Sequence, residues 1–304
     1  MRKLDLKAYA KINLSIDILG TRPDGYHEIS TVMQQIGLYD EVCVKWIPER
    51  SPAGEAGIRV ETGSNKRFLP QDQRNLANKA AETMIGRFAV SEKIGSGTVR
   101  IDIKKQIPVG AGLGGGSADC AAVLKALSII WDLNLSVREL CELGAEIGSD
   151  VPFCVMGQAG TVCAAAEGTG TDLRPIRGVS RWIVLSKPPI SVSTANVYKG
   201  FDSMPEGAFE RPDNKELIAA MEEKNFSAID KNMINVLENY TLKAYPEVMR
   251  TKERMIEGTS PAIAVMSGSG PTIVGFYRNK KSAEMAYEKM ALINRETFLT
   301  KTKE

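Results

Sequence analysis

The sequence predicts a two-domain α+β protein, and three observations carry that prediction. A period-two stretch opens the chain, a glycine-dense loop joins an extended segment to a helical one, and mixed strand and helix patterns recur in both halves of the 304 residues. The boundary is expected near Asp172, dividing residues 1–172 from 173–304.

From Leu4 to Ile18 every even position is apolar, while the odd positions carry Lys7, Tyr9, Lys11, Asn13, Ser15 and Asp17. That alternation is an extended segment with one buried and one polar face, and Lys11 and Asn13 share the polar one. Its length predicts a bend or bulge that divides it in two. Residues 20–25 have turn chemistry, and Glu28–Leu38 and Glu41–Ile47 read as further strands. Residues 50–70, rich in Gly, Pro and Ser, are expected to be a surface excursion with at most one hairpin. Asn75 can cap a helix whose apolar positions are Ala77, Ala80, Ala81, Met84 and Phe88. Thr98–Lys104 alternates as a strand, and a helix follows the glycine cluster. Ser136 and Glu139 form a capping box for another helix ending near Gly148, with Asp150 just beyond. Trp182–Leu185 reads as a strand, and helices are expected over 215–222, 227–237 and 246–256. A β pair over 262–266 and 272–277 and a last helix from Ser282 complete the pattern.

Hydrophobic residues at 43% and charged residues at 25% are ordinary for a globular chain and exclude disorder as the expectation. A formal net charge of +2 without a basic block gives nucleic-acid binding little support. No run of about 18 apolar residues could span a bilayer, and the first residues lack the apolar stretch of a signal peptide, so no membrane and a cytoplasmic location are expected. The five cysteines include no CxxC pair, which argues against a disulfide framework and a zinc site; they read as small buried thiols. With His27 as the single histidine, Ser-His-Asp hydrolysis and multi-histidine metal centres are disfavoured.

The segment from Pro108 to Ala118 contains Gly110, Gly112, Gly114, Gly115 and Gly116 ahead of Ser117. Glycines let the backbone approach an anion closely, and the helix that follows offers unpaired N–H groups and a partial positive charge. The segment suits phosphate. A GxGxxG is hidden inside it, but the acidic residue of a dinucleotide fold is missing from the end of a second strand, and no Gly-Lys-Ser/Thr is present for a Walker loop.

This block resembles the phosphate-binding motif of the GHMP kinase superfamily. Ala10-Lys11-Ile-Asn13-Leu with Arg22-Pro-Asp-Gly-Tyr26-His27, and Met266-Ser267-Gly268-Ser269-Gly270-Pro271-Thr272, resemble the first and third blocks of its branch acting on 4-diphosphocytidyl-2-C-methyl-D-erythritol. The resemblance implies a ribosomal-S5-domain-2-like first domain and a ferredoxin-like second one. It implies transfer of the γ-phosphoryl of ATP, with Mg²⁺, to the 2-hydroxyl of that substrate, a step of non-mevalonate isoprenoid biosynthesis.

By the same resemblance Lys11 orients the acceptor hydroxyl and a neighbouring carboxylate, and Asp150 is the base; from the residues alone, Lys11 reads as a solvated strand lysine and Asp150 as a turn residue. Tyr26 and His27 would recognise cytosine, a role that flat rings and a ring nitrogen suit, with Asn13 and Thr194 nearby. Asn75 and Lys105 correspond to positions near the adenine, and Pro108, Gly110, Gly112, Leu113, Gly114, Gly115, Gly116 and Ser117 to the phosphate cradle. Ser267 and Gly268 belong to a loop that closes over the transferred phosphate or is a plain hairpin turn. The metal ligands are left open, as is the choice of monomer or homodimer. The rivals are a GHMP kinase acting on another small alcohol, such as mevalonate or homoserine, and a non-catalytic nucleotide-binding module.

Overall fold

The opening alternation forms one strand, β1 (Arg2–Thr21), in a computed structural model that describes residues 1–49, 57–92, 94–205, 207 and 209–304. The expected break in β1 is absent. Alternation of burial stops at Ala10 instead, and Ala10 through Ile18 are all buried, including Lys11, Asn13, Ser15 and Asp17 on the supposed polar face. A strand covered on both faces loses its polar side to the interior. The next two expected strands are likewise one, β2 (His27–Pro48).

The chain forms two compact units, each drawn from three stretches. The first comprises Met1–Ala10, Leu38–Ile107 and Gly114–Thr161, and the second Lys11–Gly37, Pro108–Leu113 and Val162–Glu304. A cut near Asp172 therefore differs from this interleaved division.

In the first unit, the latter part of β2 pairs antiparallel with β4 (Gly97–Lys104), from Glu41 opposite Lys104 to Pro48 opposite Gly97. β3 (Ile58–Ser64) lies parallel to β4, so this part of the 50–70 stretch is a sheet strand and not a loop excursion, within the expected limit of at most one hairpin; residues 50–56 lie outside the described residues. Helices α1 (Leu76–Phe88), α2 (Gly115–Ile130), α3 (Val137–Ile147) and α4 (Val151–Gln158) complete the unit. Val42, Val44, Val99 and Ile101 meet Ala81, Met84, Leu124 and Leu127 in its core. The capping box at Ser136 and Glu139 forms as expected. The sequence reading missed α4, where Pro152 occupies the first turn, a place in which its absent N–H costs nothing.

In the second unit, Thr31–Gln34 of β2 pair antiparallel with β5 (Cys163–Glu167), which pairs with β6 (Asp172–Pro175). A separate antiparallel sheet has the order β10 (Glu296–Lys301), β7 (Trp182–Lys187), β9 (Ile273–Tyr277), β8 (Ile263–Met266). Around it run α5 (Thr194–Asp202), α6 (Asn214–Glu223), α7 (Phe226–Asn232), α8 (Glu238–Ala244), α9 (Pro246–Thr259) and α10 (Lys280–Ala291). Val184, Val248, Met255, Tyr277, Ala286 and Met290 form its core. The helix expected over 227–237 ends at Asn232. Residues 233–237 leave it to lie beside β1, where Ile16 N donates to Ile234 O at 2.9 Å and Val236 N to Ile16 O at 3.0 Å. Asparagine side chains bond local backbone and so compete with a helix, as Asn235 Oδ1 does by accepting from Leu237 N.

None of the five cysteines is in a disulfide, and only Cys120, Cys154 and Cys163 are buried; Cys43 and Cys141 are half-buried, contrary to the uniform expectation. No helix among the described residues is long and apolar enough to cross a membrane.

Candidate active site

The strand-loop-helix reading of the glycine segment holds. Gly110, Gly112 and Gly114 have φ of 60°, 72° and 64°, the left-handed region where a Cβ is disfavoured. Gly114 is the N-cap of α2, and the N–H groups of Gly115, Gly116 and Ser117 precede its first intrahelical bond, from Ala118 N to Gly114 O. Pro108 is buried at the entry to the loop.

The neck of the loop is tied by a buried ion triad. Lys105 Nζ donates to Asp40 Oδ2 and Asp119 Oδ2, both at 2.6 Å, and all three side chains are at most 4% exposed. Asp40 Oδ1 also accepts the N–H groups of Gln106 and Ile107, at 2.5 and 2.8 Å. The ammonium lies beneath the start of α2, where a Cβ on Gly115 would sit 3.1 Å from it. Burial pushes the Asp119 carboxyl up to about 7 against the pull of Lys105, and Asp119 Oδ1 has no hydrogen-bond partner. Burial lowers the Lys105 pKa, but its two carboxylates outweigh that and raise it. The ammonium expected near an adenine is thus engaged within the fold. The Asn75 side chain is similarly occupied, capping α1 through Ala77 N at 3.1 Å and donating to Pro70 O at 3.0 Å.

In the second unit, three of the sequence blocks converge. Lys11 Nζ donates to Asn13 Oδ1 at 2.7 Å, and Asn13 Nδ2 donates to Thr31 Oγ1 at 2.9 Å. Lys11 N reaches Leu113 O of the glycine loop at 3.0 Å. Ser267 Oγ donates to Gly112 O at 2.9 Å and accepts from Asn13 N at 3.4 Å. Backbone meets backbone here: a Cβ on Gly112 would lie 2.2 Å from Ser267 O. Gly268 and Gly270 take left-handed φ values of 58° and 90° in the turn that Gly270 N closes on Ser267 O at 3.0 Å. Thr194, at the start of α5, lies against the same turn, 2.9 Å from Ser269 Oγ.

His27 Nε2 is 2.8 Å from Asp202 Oδ1, and its ring lies 4.7 Å from that of Tyr198 with 44° between planes. Tyr26 is 67% exposed, and its N–H donates to Asp24 Oδ1 in the preceding turn. Asp150, in the first unit, is the half-buried N-cap residue of α4. Sequence reasoning missed Asp40, Asp119, Tyr198, Asp202 and Asn235. Each lies outside the quoted blocks or, like Asp119, sits on a helix as an ordinary polar residue, so no local signal separates it.

Among the described residues no group of three or more His, Cys, Asp or Glu side chains could hold a metal ion. A cavity of about 860 Å³ in the first unit, lined by Asp5, Lys7, Glu41, Cys43, Asp102 and Lys104 among others, contains none of the predicted site residues.

Residues 75–158 match the GHMP kinases N terminal domain and residues 206–293 the GHMP kinases C terminal family. A 4-diphosphocytidyl-2-C-methyl-D-erythritol kinase of Geobacillus thermodenitrificans is 46% identical over 286 residues, 94% of this chain and 92% of the relative. The chain belongs to this family of GHMP kinases. An Alkaliphilus metalliredigens member is 41% identical over 99% of this chain and 97% of its own length. Among solved structures, a 4-(cytidine 5'-diphospho)-2C-methyl-D-erythritol kinase superposes with a TM-score of 0.79 at 28% identity, covering 99% of this chain and 100% of that one. A homoserine kinase from Cytophaga hutchinsonii shares the GHMP kinase fold, with a TM-score of 0.69 at 16% identity over 100% of this chain and 95% of that one.

Proposed function

We propose that this GHMP kinase transfers the γ-phosphoryl group of ATP to the 2-hydroxyl of 4-diphosphocytidyl-2-C-methyl-D-erythritol, giving the 2-phosphate and ADP. One observation carries the reading: Ser267 Oγ bonds both the glycine loop at Gly112 and β1 at Asn13, two residues from the Lys11 ammonium. The three blocks thereby form one site, in the unit that also holds the paired His27 and Tyr198 rings.

In this reading the backbone N–H groups from Gly114 to Ser117 bind the triphosphate, and Mg²⁺, bound through phosphate oxygens, waters and at most one or two carboxylates, would offset its negative charge. Lys11, held by Asn13, orients the acceptor oxygen. Asp150 accepts the hydroxyl proton as that oxygen bonds to the γ-phosphorus, and the bond to the β-phosphate oxygen breaks to release ADP. Phosphoryl transfer rests on such positioning and charge stabilisation. Cytosine lies against His27, which Asp202 orients, with Tyr198 and the exposed Tyr26 supplying further ring surface. Along the sequence, and apart from the interleaved compact units, we assign residues 1–172 to the ATP-binding N-terminal domain, which also carries Lys11, Asn13 and His27 to the acceptor, and 173–304 to the C-terminal substrate domain.

The test is an ADP-release assay with the cytidine substrate, mevalonate and homoserine side by side. Turnover confined to the cytidine substrate is expected, and preference for either small alcohol defeats the assignment.

A further inference from the structure

The residues around Ser267 raise the question of what holds that turn in place. Asn235 is 2% exposed, and its Nδ2 donates to Met266 O and to Gly268 O, both at 2.8 Å. These are the carbonyls on either side of Ser267. The same side chain's Oδ1 accepts Leu237 N at 3.0 Å, so every polar atom of the amide has a use. Val236 N, one residue on, bonds Ile16 O of β1 at 3.0 Å. Glu238 extends the clamp by accepting Met266 N at 2.5 Å through Oε1, and it is paired with Lys252.

A trans peptide points its C=O and N–H in opposite directions. With Gly268 O fixed toward Asn235, the N–H of Ser269 faces away from the clamp. Fixing Met266 O and Gly268 O sets the peptide planes before Ser267 and after Gly268, and Gly270 N holds the peptide between them through Ser267 O at 3.0 Å. The Ser267 hydroxyl is the one bridging Gly112 and Asn13.

We propose that Asn235 is a positioning residue for phosphoryl transfer, acting through the Ser267–Gly270 turn to hold the glycine loop and the Lys11–Asn13 segment in register. The inference rests on the functional reading above. The side-chain bonds of Asn235 go to Met266, Gly268 and Leu237, whereas His27 is bonded to Asp202 and its ring lies against Tyr198. The clamp therefore bears chiefly on turnover: it reaches Asn13 and Thr194 at the edge of the acceptor site through the turn, but the ring that faces the base, His27, is held by Asp202 and Tyr198 instead.

The experiment compares Asn235→Asp and Asn235→Ser with the wild type at pH 8.5. It measures kcat with ATP and the cytidine acceptor, and the affinity for cytidine 5′-diphosphate by calorimetry. Asn235→Asp keeps the volume and replaces both donors with acceptors, and its kcat should fall about 100-fold, the scale of an ångström-sized misplacement. Asn235→Ser retains one donor and should fall about tenfold. Affinity for cytidine 5′-diphosphate should stay within about threefold in both. Retention of kcat in Asn235→Asp, or loss of cytidine diphosphate affinity in step with kcat, overturns the clamp alone. If Asn235→Asp does not fold, the split between kcat and affinity in Asn235→Ser decides by itself. A wild type that transfers no phosphate to this acceptor overturns the functional reading and the clamp together.

Discussion

Gly112→Ala tests the contact between the glycine loop and the Ser267 turn. The residue has φ of +72°, and its added Cβ would lie 2.2 Å from Ser267 O, 3.0 Å from Gly270 O and 3.2 Å from Ser267 C. An L-residue in the left-handed region costs about 1–2 kcal/mol. Forced overpacking adds about 1–3 kcal/mol. Both obstructing oxygens are backbone atoms of a turn tied to β8 and β9, so no side chain can swing aside; the loop itself must lift. A total on the order of 2–5 kcal/mol follows, or a melting point lower by roughly 5–15 °C for a unit of this size. Lifting the loop also separates Gly112 O from Ser267 Oγ and Leu113 O from Lys11 N, so kcat/KM for ATP should fall about 100-fold. Thermal unfolding and ADP release measure the two effects. Gly168→Ala is the control, because it too has a positive φ, +68°, but nothing lies within 4 Å of its Cβ. The control should show the backbone strain with near-normal turnover. If the two variants match in both assays, the close approach has no functional weight.

Asp150→Asn should lose about 10²–10⁴ in kcat while ATP affinity, read by calorimetry, stays near the wild-type value; normal turnover would remove Asp150 from the base role. Asp202→Asn weakens the partner of His27, so KM for the cytidine acceptor should rise several-fold with KM for ATP unchanged, and equal changes in both would point to general damage. Asp119 binds its proton more tightly folded than unfolded, since its pKa rises from 3.8 to about 7 in the fold. Its contribution to stability is therefore present at low pH and declines as pH climbs from about 4 to about 7. Urea midpoints across that range should fall more for the wild type than for Asp119→Asn, and parallel curves would contradict a raised carboxyl.

Much of the fold was legible because burial patterns follow side-chain period. The alternation from Leu4 to Ile18 marked β1, and the Ser136 and Glu139 pair marked the start of α3. What the pattern could not reveal is that from Ala10 onward both faces are covered, since Lys11, Asn13 and Ser15 look solvated to any local reading. The candidate site divides the same way. Lys11, Asn13, the glycines and Ser267 were visible as blocks, whereas Asn235 and Asp40 act through partners 31 and 65 residues away. Lys105 shows the limit from the other side: its position was recognised, but of the two carboxylates that engage its charge Asp40 lies 65 residues away and Asp119, only 14 away, looks like an ordinary polar residue of α2.

The interleaving of the two units has a consequence for how the chain is made. The first unit has all its stretches once Thr161 has emerged from the ribosome, whereas the second cannot close until β10 is available. At about 5–20 residues per second, that leaves the segment bearing Lys11, Asn13 and His27 waiting roughly 15 to 55 seconds for the last of its partners. During that interval a nascent kinase exposes a long apolar strand, which a chaperone could shield and a stalled ribosome would leave open to aggregation.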